Sequence, residues 1–260
     1  RTGIFLSYAG GFLEAVDEVV ECEKLGVDIA LVAEAYSYDA ISQLGFLAAK
    51  TSRIELGTGV VPIFTRTPAL MAMTAAGIDY VSDGRFRLGL GTSGPQVVEG
   101  FHGLPFDAPL GRTREVVEIC RQVWRRERLS YDGKHYQLPL PADRGTGLGK
   151  PLKIINHPVR ERIPMLLAAI GPKNVELAAE LHRTMREVVS YGLERIDAGV
   201  GQFGAEPGDQ AVARLRHLRG IGVPAARKEV ADPFELLEEV AVRLHVAAEA
   251  RDDAFVDAFK

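Results

Sequence analysis

Over the first half of the chain, hydrophobic positions fall in short solid blocks separated by amphipathic stretches. Gly3 to Ser7 is an apolar run. Phe12 to Leu25 follows, with Leu13, Val16, Val20 and Cys22 near helical spacing and Gly26 placed to end the helix. Ile29 to Ala33 is apolar at every position, the pattern of a strand buried on both faces. Asp39 is a natural N-cap for a helix through Ala49, and Ile54 to Gly57 opens a third strand. Thr67-Pro68 pairs an N-cap threonine with proline at the first helical position, which starts a helix running to about Val81. Ser82-Asp83-Gly84 is a turn, and Phe86 to Leu90 is a fourth strand.

Strands alternating with helices of this length imply βαβ units and a parallel sheet. A closed barrel and an open doubly wound sheet are the two candidates. The open sheet carries a G-x-G-x-x-G turn after its first strand, and Ser7-Tyr8-Ala9-Gly10-Gly11 is not one. The expected fold class is therefore α/β, a (β/α)8 TIM barrel. A length of 260 residues suits one such domain spanning residues 1–260.

After a helix from about Arg112 to Arg126 the pattern changes. Leu129 to Leu138 reads as a β-hairpin turning at Asp132-Gly133, and a Pro- and Gly-rich stretch, Pro139 to Pro151, follows. Together they form an insertion over about 129–163, expected to lie over the barrel mouth. Pro164 to Ile170 is a fifth strand, and Gly171-Pro172-Lys173-Asn174 opens a helix ending near Leu181. Beyond it the alternation is lost. Val188 to Ile196 fits helix or strand, while Asp209 to Arg219 and Pro233 to Ala250 read as helices. Five βα units are legible instead of eight, so the last third is shortened or incompletely represented.

Composition changes this picture little. Hydrophobic residues make up 47% and charged residues 25%, an ordinary globular balance. The formal net charge of −4 argues against nucleic acid or an anionic membrane as partner. The short run Arg125-Arg126-Glu127-Arg128 reads as a solvated helix face. Cys22 and Cys120 sit in apolar helical patterns with neither a disulfide framework nor metal spacing, which suits a reducing compartment. No apolar run reaches membrane-spanning length and no signal-peptide pattern opens the chain, so a cytoplasmic location is expected. The chain begins at Arg1, and a few residues are expected ahead of it.

In a parallel barrel the chemistry sits at the carboxyl ends of the strands. The second strand ends at Glu34, a carboxylate suited to proton transfer, to a ligand hydroxyl or to pairing with a neighbouring cation. The third ends in Gly57-Thr58-Gly59-Val60, where glycines permit a bulge or close backbone approach to a ligand. The fourth leads into Gly91-Thr92-Ser93-Gly94-Pro95-Gln96, which suits a polar planar ligand or a phosphate. Gly171, Pro172 and Lys173 open a helix whose free N–H groups favour an anion. Among the histidines, His102 is the strongest candidate, because it follows the glycine-rich mouth segment. No pair of histidines has metal spacing, and neither a G-x-S-x-G elbow nor a P-loop is present.

These residues also carry a family resemblance. Val32 to Ala40, Arg53 to Val60, and Ser82-Asp83-Gly84-Arg85-Phe86 with Leu88-Gly89-Leu90-Gly91 resemble consecutive segments of the bacterial luciferase-like family. Ser93 to Gly103, continued by Arg112-Thr113-Arg114-Glu115, is most similar to the actinobacterial branch that uses the deazaflavin coenzyme F420. The resemblance covers about residues 1–181. It implies a (β/α)8 barrel with F420, or alternatively FMN, at its carboxyl end. It also implies hydride exchange between the deazaflavin and a small organic substrate without a metal. A non-prolyl cis peptide is implied at Gly59-Val60, backing the ring system. Glu34 matches the acidic position beside the ring; Ser93, Gly94 and Gln96 match the ring-edge and ribityl segment; Gly171, Pro172 and Lys173 match the phosphate turn. Many F420 enzymes carry histidine directly after the acidic residue; here Ala35 stands there, which leaves Glu34, His102, Tyr36 or water as the proton source. A homodimer packed through barrel helices is implied as well. Two competitors remain: an FMNH2- and O2-dependent monooxygenase, and a non-catalytic flavin-binding barrel.

Overall fold

In the computed structural model, residues 2–6, 11–169, 172–185 and 188–191 are described. The expected alternation is present. Strands β1 (Gly3–Leu6), β2 (Ile29–Val32) and β3 (Glu55–Thr58) alternate with helices α1 (Phe12–Lys24) and α2 (Ala40–Lys50). A two-residue strand β4 (Val61–Pro62), helix α3 (Pro68–Val81) and strand β5 (Phe86–Gly91) follow. A short helix α4 (Pro95–Gly100), which the hydrophobic pattern does not announce, precedes helix α5 (Pro109–Trp124). The hairpin strands are β6 (Tyr131–Asp132) and β7 (Gln137–Leu138), and the sheet resumes with β8 (Met165–Ala168), helix α6 (Pro172–Met185) and β9 (Val188–Tyr191).

Caps set several of these boundaries. Asp39 accepts a hydrogen bond from Ser42 N at 2.8 Å, and Thr67 accepts one from Leu70 N at 3.2 Å with Pro68 at the first turn. Val188 to Ile196, left open between helix and strand on the sequence, begins with a strand that pairs parallel to β8. It is a sixth strand position where five were legible. The helices expected over 209–219 and 233–250 lie outside the described residues.

The sheet order is β1-β2-β3-β5-β8-β9, all parallel, with β4 also on β5. This order never reverses. A doubly wound sheet needs a reversal, because its helices cover both faces. With right-handed crossovers and no reversal, every helix falls on one face, and the other face is buried only if the sheet curls on itself. The interior cluster agrees. Ile29 and Leu31 on β2 form one buried cluster with Leu166 on β8, and Phe5 and Val60 pack against it. Two strand positions separate β2 from β8, so in a flat sheet these side chains would stand about 14 Å apart.

The layer between sheet and helices is also dry. Leu44, Leu47, Met71, Val116, Val117 and Trp124 are buried. Each such aliphatic side chain contributes about 1.5–3 kcal/mol. The Trp124 indole N–H donates to the Ala72 carbonyl at 2.9 Å, so the largest buried ring leaves no orphan donor. Burial pushes the Cys120 thiol far up, which suits an inert core residue better than a nucleophile.

The hairpin of the insertion is anchored on α5. Both oxygens of the buried Glu115 carboxylate accept backbone hydrogen bonds from Lys134, His135 and Tyr136, at 2.9–3.2 Å. Tyr131 donates to Glu118 one turn further down the helix. The hairpin turn spans Gly133 to Tyr136 in place of Asp132-Gly133, because those amides need the Glu115 carboxylate as acceptor. The return path descends to the amino end of the sheet, where Arg160 pairs with Asp79 and donates to the Phe86 carbonyl.

Candidate active site

Three loops at the carboxyl ends of β2, β4 and β5 meet at one rim. Its base is a bulge in the third strand. Gly57 pairs with Arg87, but Val61 pairs with Leu90, so residues 58–60 contain one residue more than the facing strand. The Thr58 hydroxyl fills the gap in the ladder: it accepts from Gly89 N and donates to Gly89 O, both at 2.7 Å. Gly89 is required here, since a Cβ would collide with the Thr58 carbonyl oxygen. The Gly59-Val60 peptide is cis, the geometry that the resemblance implies. Glu34 N donates to Val60 O at 3.1 Å and ties the β2 loop to this bulge. The Val60 side chain packs into the barrel interior, and a Cβ on Gly59 would strike the Phe5 ring, so this segment presents backbone to the mouth.

Glu34 is engaged on both oxygens. Arg66 donates to Oε1 at 2.5 Å and to Oε2 at 2.8 Å, and Ala40 N donates to Oε2 at 3.0 Å. The side chains of the pair are 8% and 13% exposed, too dry for solvent to screen the interaction. The hydrogen bond to Glu34 raises the Arg66 pKa; burial opposes it, and the charges of Glu34 and Asp39 add to it. Asp39 is lowered despite burial, because Ser42 and Ile41 donate to it and Arg66 lies near. Proton transfer through Glu34 would therefore have to disrupt an ion pair first. Arg66 was not foreseen as its partner; the signal was a lone cation at a strand's carboxyl end, just ahead of the Thr67-Pro68 helix start.

The β5 loop carries most of the remaining candidates. Ser93 adopts a left-handed backbone with φ 56° and is exposed, and Gly94 is the N-cap of α4. The exposed Gln96 folds its amide oxygen back toward Gly94. His102 follows α4. Its ring meets Phe101 edge-on at 5.2 Å, and its Nε2 is buried without a hydrogen-bond partner. Phe101 in turn packs at 6.2 Å against Tyr36 of the β2 loop. The segment then returns to the β4 loop, where Phe106 packs at 5.2 Å against Phe64. Residues 92–108 thus arch from β5 across to β2 and back to β4. Arg112 closes the arch from α5, pairing with Asp107 at 2.9 Å and lying over the rings of Phe64 and Tyr136.

Pro172 and Lys173 are exposed at the start of α6, and Gly171 lies outside the described residues. Between the carboxyl ends of β5 and β8 a narrow pocket opens beside this helix start, with Thr92, Thr113 and Asn174 among its lining. Among the described residues no group of three or more His, Cys, Asp or Glu side chains is arranged to hold a metal.

The sequence profile of the luciferase-like monooxygenase family matches residues 2–222. The chain belongs to this family. As a luciferase-like protein it is 51% identical over 164 residues to a Mycobacterium tuberculosis protein named "Putative coenzyme F420-dependent oxidoreductase", covering 63% of this chain and 47% of that one. It is 35% identical over 190 residues to a 5,10-methylenetetrahydromethanopterin reductase of Archaeoglobus fulgidus, covering 70% and 53%. The chain thus spans about half the length of these curated relatives. Among solved structures, the F420-dependent tetrahydromethanopterin reductase of Methanopyrus kandleri superposes with a TM-score of 0.60 at 23% identity, over 74% of this chain and 64% of that one. That likeness concerns the fold, and it assigns this luciferase-like chain to the TIM barrels.

Proposed function

We propose that the protein is an F420-dependent oxidoreductase that exchanges a hydride between the deazaflavin and a small organic substrate. The observation that carries this reading is the rim itself: the β2 loop ties the bulge at residues 58–60 to the segment Ser93 to His102, in a chain 51% identical over 164 residues to a relative named for F420. The residues fit such a ring system. Exposed Ser93 and Gln96 leave polar groups open to a ligand, and the orphan Nε2 of His102 is a buried polar atom that a ligand would satisfy. F420 supplies a two-electron hydride carrier when bound.

In this reading Gly59 and Val60 back the ring with their peptide, and Ser93, Gly94 and Gln96 hold its edge and ribityl chain. Gly171, Pro172 and Lys173 hold the phosphate at a helix start. His102 gives or takes the proton at Nε2. Glu34, pinned by Arg66, acts as a fixed charge that orients the β2 and β4 loops. The protein works in the cytoplasm as a homodimer packed through barrel helices. The outward stripe Leu70, Met73, Tyr80 and Val81 on α3 supports the last point, and none of these side chains is charged.

Titration with F420 and with FMN, followed by fluorescence, tests the coenzyme. Saturable binding of F420 with weak FMN binding is expected. Tight FMN binding without F420 binding would overturn the proposal in favour of the monooxygenase. Binding of either coenzyme without turnover of any tested substrate would leave the non-catalytic barrel.

A further inference from the structure

The rim has a chemical character that the coenzyme reading does not use. The three loops after β2, β4 and β5, residues 33–39, 63–67 and 92–108, hold four carboxylates, Glu34, Asp39, Glu99 and Asp107. Against them stands one guanidinium, Arg66, and Glu34 already engages it through both oxygens. Outside the loops, Arg112 is taken by Asp107 and two aromatic faces. Against these three loops an anionic substrate would meet more carboxylates than cations.

The same loops supply large apolar surfaces. Tyr36 is 55% exposed and Phe101 67%, although they touch each other across two loops. Their planes are tilted by 50°, so each ring keeps a face free of the other. Phe64 and Phe106 form a second pair at the β4 loop. Isolated exposed aromatics are ordinary, but an apolar cluster on the functional end of a barrel marks a binding surface. Rings that open to solvent beside unmatched carboxylates select by stacking and shape and disfavour negative charge.

We infer that the substrate is a molecule without negative charge, with a flat, ring-bearing apolar body, bound against Tyr36 and Phe101. This rests on the site proposed above, because the arch that carries Phe101 also carries Ser93, Gly94 and Gln96. Reduction of such a substrate balances simply. With an aromatic aldehyde, the hydride from the reduced deazaflavin forms the new C–H bond, a proton adds to oxygen, and the oxidised coenzyme and an alcohol leave.

A matched series tests the inference: naphthalene-2-carbaldehyde, its 6-carboxylate and its 6-trimethylammonium derivative. Each is titrated calorimetrically into the protein with and without F420. The neutral aldehyde is expected to bind at least about tenfold more tightly than the carboxylate. Tyr36→Ala and Phe101→Ala are each expected to weaken the neutral aldehyde by about threefold to tenfold, the worth of one aromatic contact. Equal or tighter binding of the carboxylate overturns the inference. So does indifference of the neutral ligand to both substitutions. F420 binding without binding of the neutral aldehyde removes the substrate class and leaves the coenzyme reading. Aldehyde binding without F420 binding does the reverse.

Discussion

The two ends of the barrel are built from similar residues put to opposite uses. At the amino end, charged side chains are spent on backbone. Glu23 accepts from the amides of Ser52, Arg53 and Ile54, and Arg85 donates to the carbonyls of Ala48, Thr51, Ile54 and Ser82. Asp79, fully buried, takes Arg160 and the Phe86 amide. At the carboxyl end, Tyr36 and Phe101 are exposed, Ser93 is left-handed and His102 keeps an orphan nitrogen. The charged groups named at the amino end are satisfied by the fold, and the His102 nitrogen at the carboxyl end is not. Stability and binding should therefore separate by end, and substitutions can break that separation.

The largest effect is expected from Arg160→Ala. It leaves the Asp79 carboxylate buried without its cation, which costs about 3 kcal/mol or more. Urea unfolding should show the loss, while F420 affinity stays as in the parent. A matching fall in coenzyme affinity would mean that the two ends are coupled. His102→Ala should do the opposite. With naphthalene-2-carbaldehyde as acceptor, kcat is expected to fall about a hundredfold, the usual worth of a positioned proton donor, with the unfolding midpoint unmoved. Undiminished kcat would remove His102 from the chemistry.

Arg66→Ala sits between these two. It breaks the same bidentate arrangement as at Asp79, but at the rim. A loss of about 2 kcal/mol in unfolding free energy is expected, together with weaker F420 binding, because the β2 and β4 loops lose their tie. Stability loss with unchanged coenzyme affinity would make Glu34-Arg66 a structural pair like Asp79-Arg160.

How far the sequence reveals each end follows from physics. The βα alternation is legible because a buried parallel strand must be apolar at every position, as in Ile29 to Val32. Helix starts at Asp39 and Thr67 are legible because capping is local. The strand at Val188 is not, since a four-residue strand without flanking turn residues has no period to distinguish it from helix. Long-range pairs are hidden altogether. Arg66 finds Glu34 across 32 positions and Arg160 finds Asp79 across 81, and neither spacing leaves a pattern. The hairpin is visible from Asp132-Gly133, yet its placement depends on Glu115, a residue that reads as one more helix carboxylate. Of the site, the loops are legible and the partners inside them are not.

A smaller effect tests the amino end by pH. Burial alone would raise Glu23, but the amides of Ile54, Arg53 and Ser52 and the charge of Arg85 hold it below its ordinary value of 4.5. Its folded pKa is thus lower than its unfolded one. The stability it contributes is fully present above pH 4.5 and is lost as pH falls through the folded value. Glu23→Gln should make unfolding free energy less dependent on pH below about 4.5. A pH dependence identical to the parent's would place the acid sensitivity elsewhere.

The smallest effect is a gain, and it belongs to the rim. Ala108 caps α5 from a left-handed backbone, with φ 44° and ψ 47° and no side-chain hydrogen bond to the helix. Alanine is a poor N-cap and pays for its Cβ in that region. Ala108→Gly removes the second cost and improves the first, against the extra freedom glycine brings to the unfolded chain. A net stabilisation of about 0.5 kcal/mol is expected in urea unfolding. If the rim is built for binding at the expense of stability, the same variant should bind F420 no better than the parent. A gain in affinity alongside the gain in stability would mean that Ala108 is simply a suboptimal cap, and that the contrast between the two ends does not extend to the backbone.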